Sequence, residues 1–255
     1  MKPNVEPGML GCLDKRLKPW TPPSPIYREL RQMTRFVADI NKVKTELRNH
    51  LEALTHSETA EKSIVKHYNK LIDEIDKQLV SNQKAIREKI KQEPGLSERI
   101  DRITTINGIG FMTVVTVVAE TNGFALITNR KQLTRYAGLD VPAHQSGPVD
   151  PKRHISKQGN VHIRTALYFP AIVSTQCNPQ MKDFYRRLCA RNTQSKMIGI
   201  TAAMRKLLLL IYSLWKSGEE YDPKRDKPAC SKKKKEAEPP EVQPHWIDVG
   251  TSAEE

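Results

Sequence analysis

Residues Gly138 to Tyr168, GLDVPAHQSGPVDPKRHISKQGNVHIRTALY, concentrate the side chains able to do chemistry. Ser146 and Gly147 form a Ser-Gly turn that offers a small hydroxyl. Lys152, Arg153, His154 and Lys157 stand close behind it, and a Gly-Asn break at Gly159 and Asn160 precedes a helix opening with His162 and Arg164. A hydroxyl on a turn with cations behind it suits a phosphodiester, because each phosphate carries a negative charge that Lys or Arg neutralises. A serine hydroxyl is a weak nucleophile near neutral pH. It needs a base or a metal to accept its proton, and cations to hold charge on the phosphate. Lys152, Arg153, Lys157 and Arg164 are candidates for the second task. His154 and His162 are either general acid–base groups, phosphate contacts or merely exposed histidines. On residue type and spacing alone, Ser146 is either a plain turn residue or a nucleophile.

Two rivals lie in the same stretch. Ser156, beside Lys157, reads as a phosphate-contact or capping residue. Tyr168 invites comparison with tyrosine nucleophiles, but His162-Ile-Arg164 lacks the His-x-x-Arg spacing of that class. Tyr168 also falls on the apolar side of its helix with Leu167, which reads as core.

The elements that must position these groups are helical. Residues 1–25 hold Pro19, Pro22, Pro23 and Pro25 around Trp20 and read as an extended lead-in. From 26 to 54, Ile26, Leu30, Met33, Val37, Ile40, Leu47, Leu51 and Leu54 recur in steps of three, four and seven, a single helical stripe. Thr55 and Glu58 have capping-box spacing. Ile64, Tyr68, Leu71, Ile75, Leu79, Ile86 and Ile90 then repeat the stripe to about Lys91. Two long polar helices with narrow seams predict a coiled-coil hairpin over 26–93, closing within one chain or between two. Pro94 and Gly95 end it.

Residues 97–223 read as a compact helical domain. In RIDRITTINGIGFMTVVTVVAE, Gly108 and Gly110 bracket Ile109 ahead of an apolar segment, a pattern that fits a helix-hairpin-helix. Its glycines would let backbone N–H groups approach a phosphate where the next helix begins. Val114 to Val118 is β-branched enough to suit a strand equally. A short helix follows over 129–137, with Leu133, Tyr136 and Ala137 inward and Gly138 as its stop. Pro142 to Pro151 is a loop or small β-ribbon carrying the serine. Asn160 caps a helix from Val161 to about Gln176, kinked at Pro170. Asn178 and Pro179 start another, burying Met181, Phe184, Tyr185 and Leu188 and exposing Lys182, Arg186, Arg187 and Arg191. Ser195 to Lys216 is apolar on most sides and predicts a central core helix stopped by Gly218, whose Arg205 and Lys206 either reach nucleic acid or snorkel. Residues 224–255, with a Lys run at 232–235, read as a disordered charged tail.

Composition narrows the partner. The 255 residues hold 42 Lys and Arg against 29 Asp and Glu, a formal net charge of +13, and the isoelectric point is about 9.6. That favours a polyanion, nucleic acid before membrane. Cys12, Cys177, Cys189 and Cys230 show no CxxC pair, so neither a zinc site nor a disulfide frame is expected. No metal ligand set is read in the chain. No apolar run is read as approaching the roughly 20 residues of a membrane span, and Met1 to Leu13 lacks the apolar segment of a signal peptide.

In this order, several short pieces resemble the C-terminal part of the insertion-sequence one-ten family of transposases, the serine recombinases guided by a bridge RNA. They are Ile106-Asn-Gly-Ile-Gly110, Tyr136-Ala-Gly-Leu139, Gln145-Ser-Gly147, Ile155-Ser-Lys-Gln-Gly-Asn160, Arg164-Thr-Ala-Leu-Tyr168, Phe184-Tyr-Arg-Arg-Leu188, Arg205-Lys-Leu207 and Tyr221-Asp-Pro223. The resemblance runs from about Leu17 to Pro223. It implies that Val114 to Val118 is helical, that the hairpin is a dimerisation arm, and that Ser146 attacks a DNA phosphate to form a phosphoserine link. It implies DNA and a guide RNA as partners, a homo-oligomer joined through the coiled coil, and a place in the bacterial or archaeal cytosol at the nucleoid. In that family the Leu-Lys-Pro-Trp run follows a nuclease-like domain with four acidic metal ligands. No such stretch precedes Trp20, so the reading is of a truncated or split member, incomplete alone. Mg²⁺ is expected only with the metal domain, and no cofactor in this chain. The alternative is a catalytically dead remnant that only binds DNA non-specifically.

Overall fold

The computed structural model describes residues 24–56, 61–141, 155–191 and 195–222. These are mainly helical: α1 (Pro25–Thr55), α2 (Lys62–Lys91), α3 (Pro94–Thr104), α4 (Phe111–Glu120), α5 (Arg130–Tyr136), α6 (Val161–Cys177), α7 (Pro179–Arg191) and α8 (Lys196–Ser217). No strand occurs among the described residues. The expected capping partner Glu58, the loop or ribbon at 142–151, and both terminal segments (1–23 and 223–255) lie outside them.

α1 and α2 run antiparallel. Lys89 pairs with Glu29 and Lys44 with Asp76, and His50 meets Tyr68 with ring centroids 6.5 Å apart. The seam differs from the predicted stripe. Ile72 is buried, whereas Leu71 is 54 % exposed and Ile64 also faces out. The heptad explains this: Ile72, Leu79 and Ile86 are seven apart and all buried, while the register through Ile64 and Leu71 meets Gln78 next. A narrow seam needs an apolar residue at each heptad step, so the unbroken register wins.

The segment around 114–118 is helix, not strand, with Val114, Val115, Val117, Val118 and Ala119 all buried. Intrinsic β preference yields to burial on every side. α8 lies at the centre and packs against α3, α5, α6 and α7. Phe124 sits at this core, edge-on to Tyr212 at 5.3 Å and beside Trp215 at 5.9 Å. Contrary to the sequence reading, α8 is long and apolar enough by composition to cross a membrane. In the fold its apolar side chains, among them Ala203, Leu207, Leu208 and Ile211, fill the protein core.

The helix ends follow local chemistry. Asn160 Oδ1 accepts from the backbone N–H groups of His162 and Ile163 at 2.9 and 3.3 Å. Asn178 Oδ1 does the same for Gln180 and Met181. Gly218 stops α8 in the left-handed conformation, φ 68°. α6 continues through Pro170 to Cys177. On α7 only Met181 is fully buried; Phe184, Tyr185 and Leu188 are half-buried.

Candidate nucleic-acid interface

The C-terminal end of α5 leaves backbone carbonyls without helical partners, as every helix end does. Residues 155–160 supply those partners from across the chain. The Asn160 N–H donates to the Tyr136 carbonyl at 2.8 Å and the Lys157 N–H to Gly138 at 3.2 Å. Arg164 NH1, rising from the first turn of α6, donates to the Ala137 carbonyl at 2.9 Å. One step further, the Ser156 N–H donates to the Asp140 carbonyl at 2.9 Å, and its hydroxyl to Asp140 Oδ1 at 2.5 Å. Asp140 and Ser156, which flank residues 142–154, are thereby held together.

Close approach imposes glycine here. A Cβ on Gly138 (φ +65°) would lie 2.6 Å from Arg164 NH1, and one on Gly159 2.5 Å from the Tyr136 carbonyl. Lys157 takes a left-handed φ of 53° without being glycine, a strained conformation that the surrounding hydrogen bonds hold in place.

Beneath this junction lies a buried carboxylate that sequence reasoning missed. Glu120, at the end of α4, is 1 % exposed. Arg35 of α1 grips it with two hydrogen bonds, 2.7 and 2.9 Å. Asn160 Nδ2 also donates to Oε2, at 2.6 Å, and the Tyr136 hydroxyl donates to the Glu120 backbone carbonyl at 2.9 Å. Arg31 braces the same turn through the Ala119 carbonyl at 3.0 Å. Burial pushes the Glu120 carboxyl up. The hydrogen bonds from Arg35 and Asn160, with the charges of Arg35 and His162, outweigh that and hold it below its ordinary value. Arg35 is raised in turn, chiefly by its hydrogen bond to Glu120. Glu120 therefore ties α1 and the start of α6 to α4 through its carboxylate, and α5 through its backbone carbonyl. The available signal was a lone acid ending an apolar run, VVTVVAE, with Arg31 and Arg35 four apart on one helix.

The predicted site residues distribute as follows. Ser146, Lys152, Arg153 and His154 lie outside the described residues. Lys157, His162 and Arg164 come together at the junction; Lys157 is exposed, and His162 and Arg164 are half-buried. The Arg164 guanidinium is engaged by the carbonyls of Ala137 and Asn160. Gly108 and Gly110 lie at the far end of α4, roughly 15 Å away by helical rise. Gly108 (φ +95°) packs on α6, where its Cβ would stand 2.7 Å from Ser174 Cα, whereas Gly110 has nothing within 4 Å. Tyr136, expected inward, is 42 % exposed, because its hydroxyl needs only the edge of the fold to reach Glu120. Tyr168 packs partly buried against the core, as its helix face implies. On α8, Arg205 is exposed and Lys206 lies over the Phe184 ring, 5.1 Å from its centre. No cluster of three or more His, Cys, Asp or Glu with metal-holding geometry occurs among the described residues.

Residues 100–186, which contain this junction, match the model of the transposase IS116/IS110/IS902 family. That match covers about a third of the chain, and over it the chain is similar to that family. It is 31 % identical over 160 residues to the pilin gene-inverting proteins of Moraxella bovis and Moraxella lacunata, covering 62 % of this chain and 47 % of each relative. It is 32 % identical over 80 residues to the transposase for insertion sequence element IS1111A of Coxiella burnetii, covering 31 % of this chain and 22 % of that protein. The chain thus spans about half the length of the longest-matched relatives or less.

Proposed function

We propose that this chain works in DNA transposition or recombination, with residues 138–164 as the part that meets a DNA phosphate. The observation that supports this best is the junction itself. Asp140 and Ser156 are joined, and Glu120 and Arg164 fix the backbone beneath them, so the segment between has rigid footings within a family transposase domain. A nucleophile needs such a support, because small misplacements of reacting groups are costly. Ser146 is the nucleophile in this reading. Its oxygen attacks phosphorus, a phosphoserine bond forms, and the displaced strand leaves as a free hydroxyl. The phosphodiester energy is conserved, so rejoining needs no ATP. Lys152, Arg153 and Lys157 hold the phosphate charge. Gly110 offers a second, sequence-independent backbone contact at the start of α4.

The family resemblance adds Mg²⁺ and an acidic nuclease-like domain as the proton-accepting half, a guide RNA for sequence choice, and self-association through α1 and α2. The test is incubation of the chain with DNA carrying insertion-sequence ends, Mg²⁺ and a supplied nuclease-like domain, followed by denaturing electrophoresis. A protein–DNA adduct lost in Ser146→Ala supports the reading. An adduct that survives Ser146→Ala overturns the assignment. Binding without any adduct leaves the chain a DNA-binding module.

A further inference from the structure

Beside the junction lies an open cavity of about 500 Å³, lined by Gln132, Arg135, Tyr136, Gln158, Gly159 and Asn160. Its size falls in the range of small-ligand sites. Its walls are of three kinds. Tyr136 is 42 % exposed, and its ring is fixed at its far end by the hydroxyl's bond to the Glu120 backbone carbonyl. Arg135 is exposed, and its guanidinium has no hydrogen-bond or ion-pair partner among the described residues; the Gln158 amide is likewise unengaged. Gly159 adds only main chain to the wall, pressed onto the end of α5 where any Cβ would strike the backbone. Gln132 contributes only shape, because its amide already accepts from Thr128 and donates to Leu126.

An aromatic face, a guanidinium and an amide, the latter two without partners among the described residues, are the means by which proteins hold unpaired bases. A paired base inside a duplex cannot enter it. We infer that this cavity receives a single unpaired nucleotide of a DNA strand: the base stacks on Tyr136, Gln158 meets its edge, and Arg135 takes the adjoining phosphate. The inference rests on the DNA-handling reading above and deepens it, placing a strand opened beside the junction rather than an intact duplex. Asn160 is the floor of the pocket and also the partner of Glu120, so the pocket and the junction share one rigid base.

The experiment uses the full chain and two 20-base-pair duplexes, one intact and one with a single extrahelical 2-aminopurine. The expected result is about tenfold tighter binding of the bulged duplex, the contribution of one stacked base, with 2-aminopurine fluorescence quenched on binding. Tyr136→Phe keeps both effects, since it keeps the ring. Tyr136→Leu removes the preference while leaving affinity for the intact duplex within about twofold. Arg135→Gln, an exposed change with no fold partner to lose, lowers affinity for the bulged duplex at least about threefold more than for the intact one. Equal binding of the two duplexes by the unaltered chain, or a preference untouched in both Tyr136→Leu and Arg135→Gln, overturns the pocket and leaves DNA handling standing. Failure to bind either duplex overturns the DNA-handling reading itself, and the pocket with it.

Discussion

At the scale of single residues, Glu120 is the anion on which the candidate interface is built. Its carboxyl titrates lower in the fold than in the unfolded chain, where the ordinary value is 4.5. The stabilisation is therefore complete above about pH 4.5 and is lost as pH falls through the folded value. Thermal melts from pH 7 downward should show this acid loss in the natural chain and a flatter profile in Glu120→Gln. Arg35→Met leaves the buried carboxylate with the neutral Asn160 amide and, as its ion-pair partner, the more distant Arg31, 3.8 Å away. A loss of about 3 kcal/mol by urea unfolding is expected. Two glycines should behave oppositely. Gly138→Ala combines φ +65° with a 2.6 Å clash and should cost about 2 kcal/mol or more. Gly110→Ala meets nothing and has φ −89°, so its melting should barely move. If Gly110 approaches a phosphate, that same variant should still weaken DNA binding.

At the scale of elements, the α1–α2 hairpin tests the register. Ile72→Ala opens a buried seam position and should cost about 2–4 kcal/mol. Leu71→Ala, one residue away on an outward face, should cost less than about 0.5 kcal/mol. Reversal of that order in urea titrations would place the seam on the predicted stripe instead. The outward residues Ile64 and Leu71, and Phe36 and Val43 on α1, each lie seven apart and exposed. If copies associate through the arm, Leu71→Ala should lower the sedimentation coefficient without changing stability. Among the helix ends, Asn160 has two tasks. It caps α6 and donates to Glu120, so Asn160→Ala should exceed the roughly 1 kcal/mol of an ordinary cap.

At the scale of the whole molecule, the +13 formal charge makes any DNA affinity salt-dependent. With about four phosphates neutralised, affinity should fall roughly 100-fold between 50 and 200 mM salt. A flat salt series in a gel-shift titration would argue against phosphate contact. The outward cations of α7, Lys182, Arg186, Arg187 and Arg191, stand apart from the junction in sequence. Their combined replacement by Gln tests whether the charge acts locally or over the whole surface.

Much of this molecule was legible in the residues. The mainly helical class, the hairpin, the core role of α8, the caps at Asn160 and Asn178 and the stop at Gly218 each follow from rules that operate within a few residues: apolar spacing, a side-chain oxygen turned back on an N–H, a glycine free to take positive φ. What the fold alone decided involves groups far apart in the chain. Arg35 and Glu120 are 85 positions apart, and Glu120 and Asn160 are 40. No local pattern encodes such a meeting, because its energy exists only once burial has removed water from both partners. The choice of Ile72 over Leu71, the helix through five β-branched positions and the outward ring of Tyr136 were settled the same way, by which neighbours arrived to cover them.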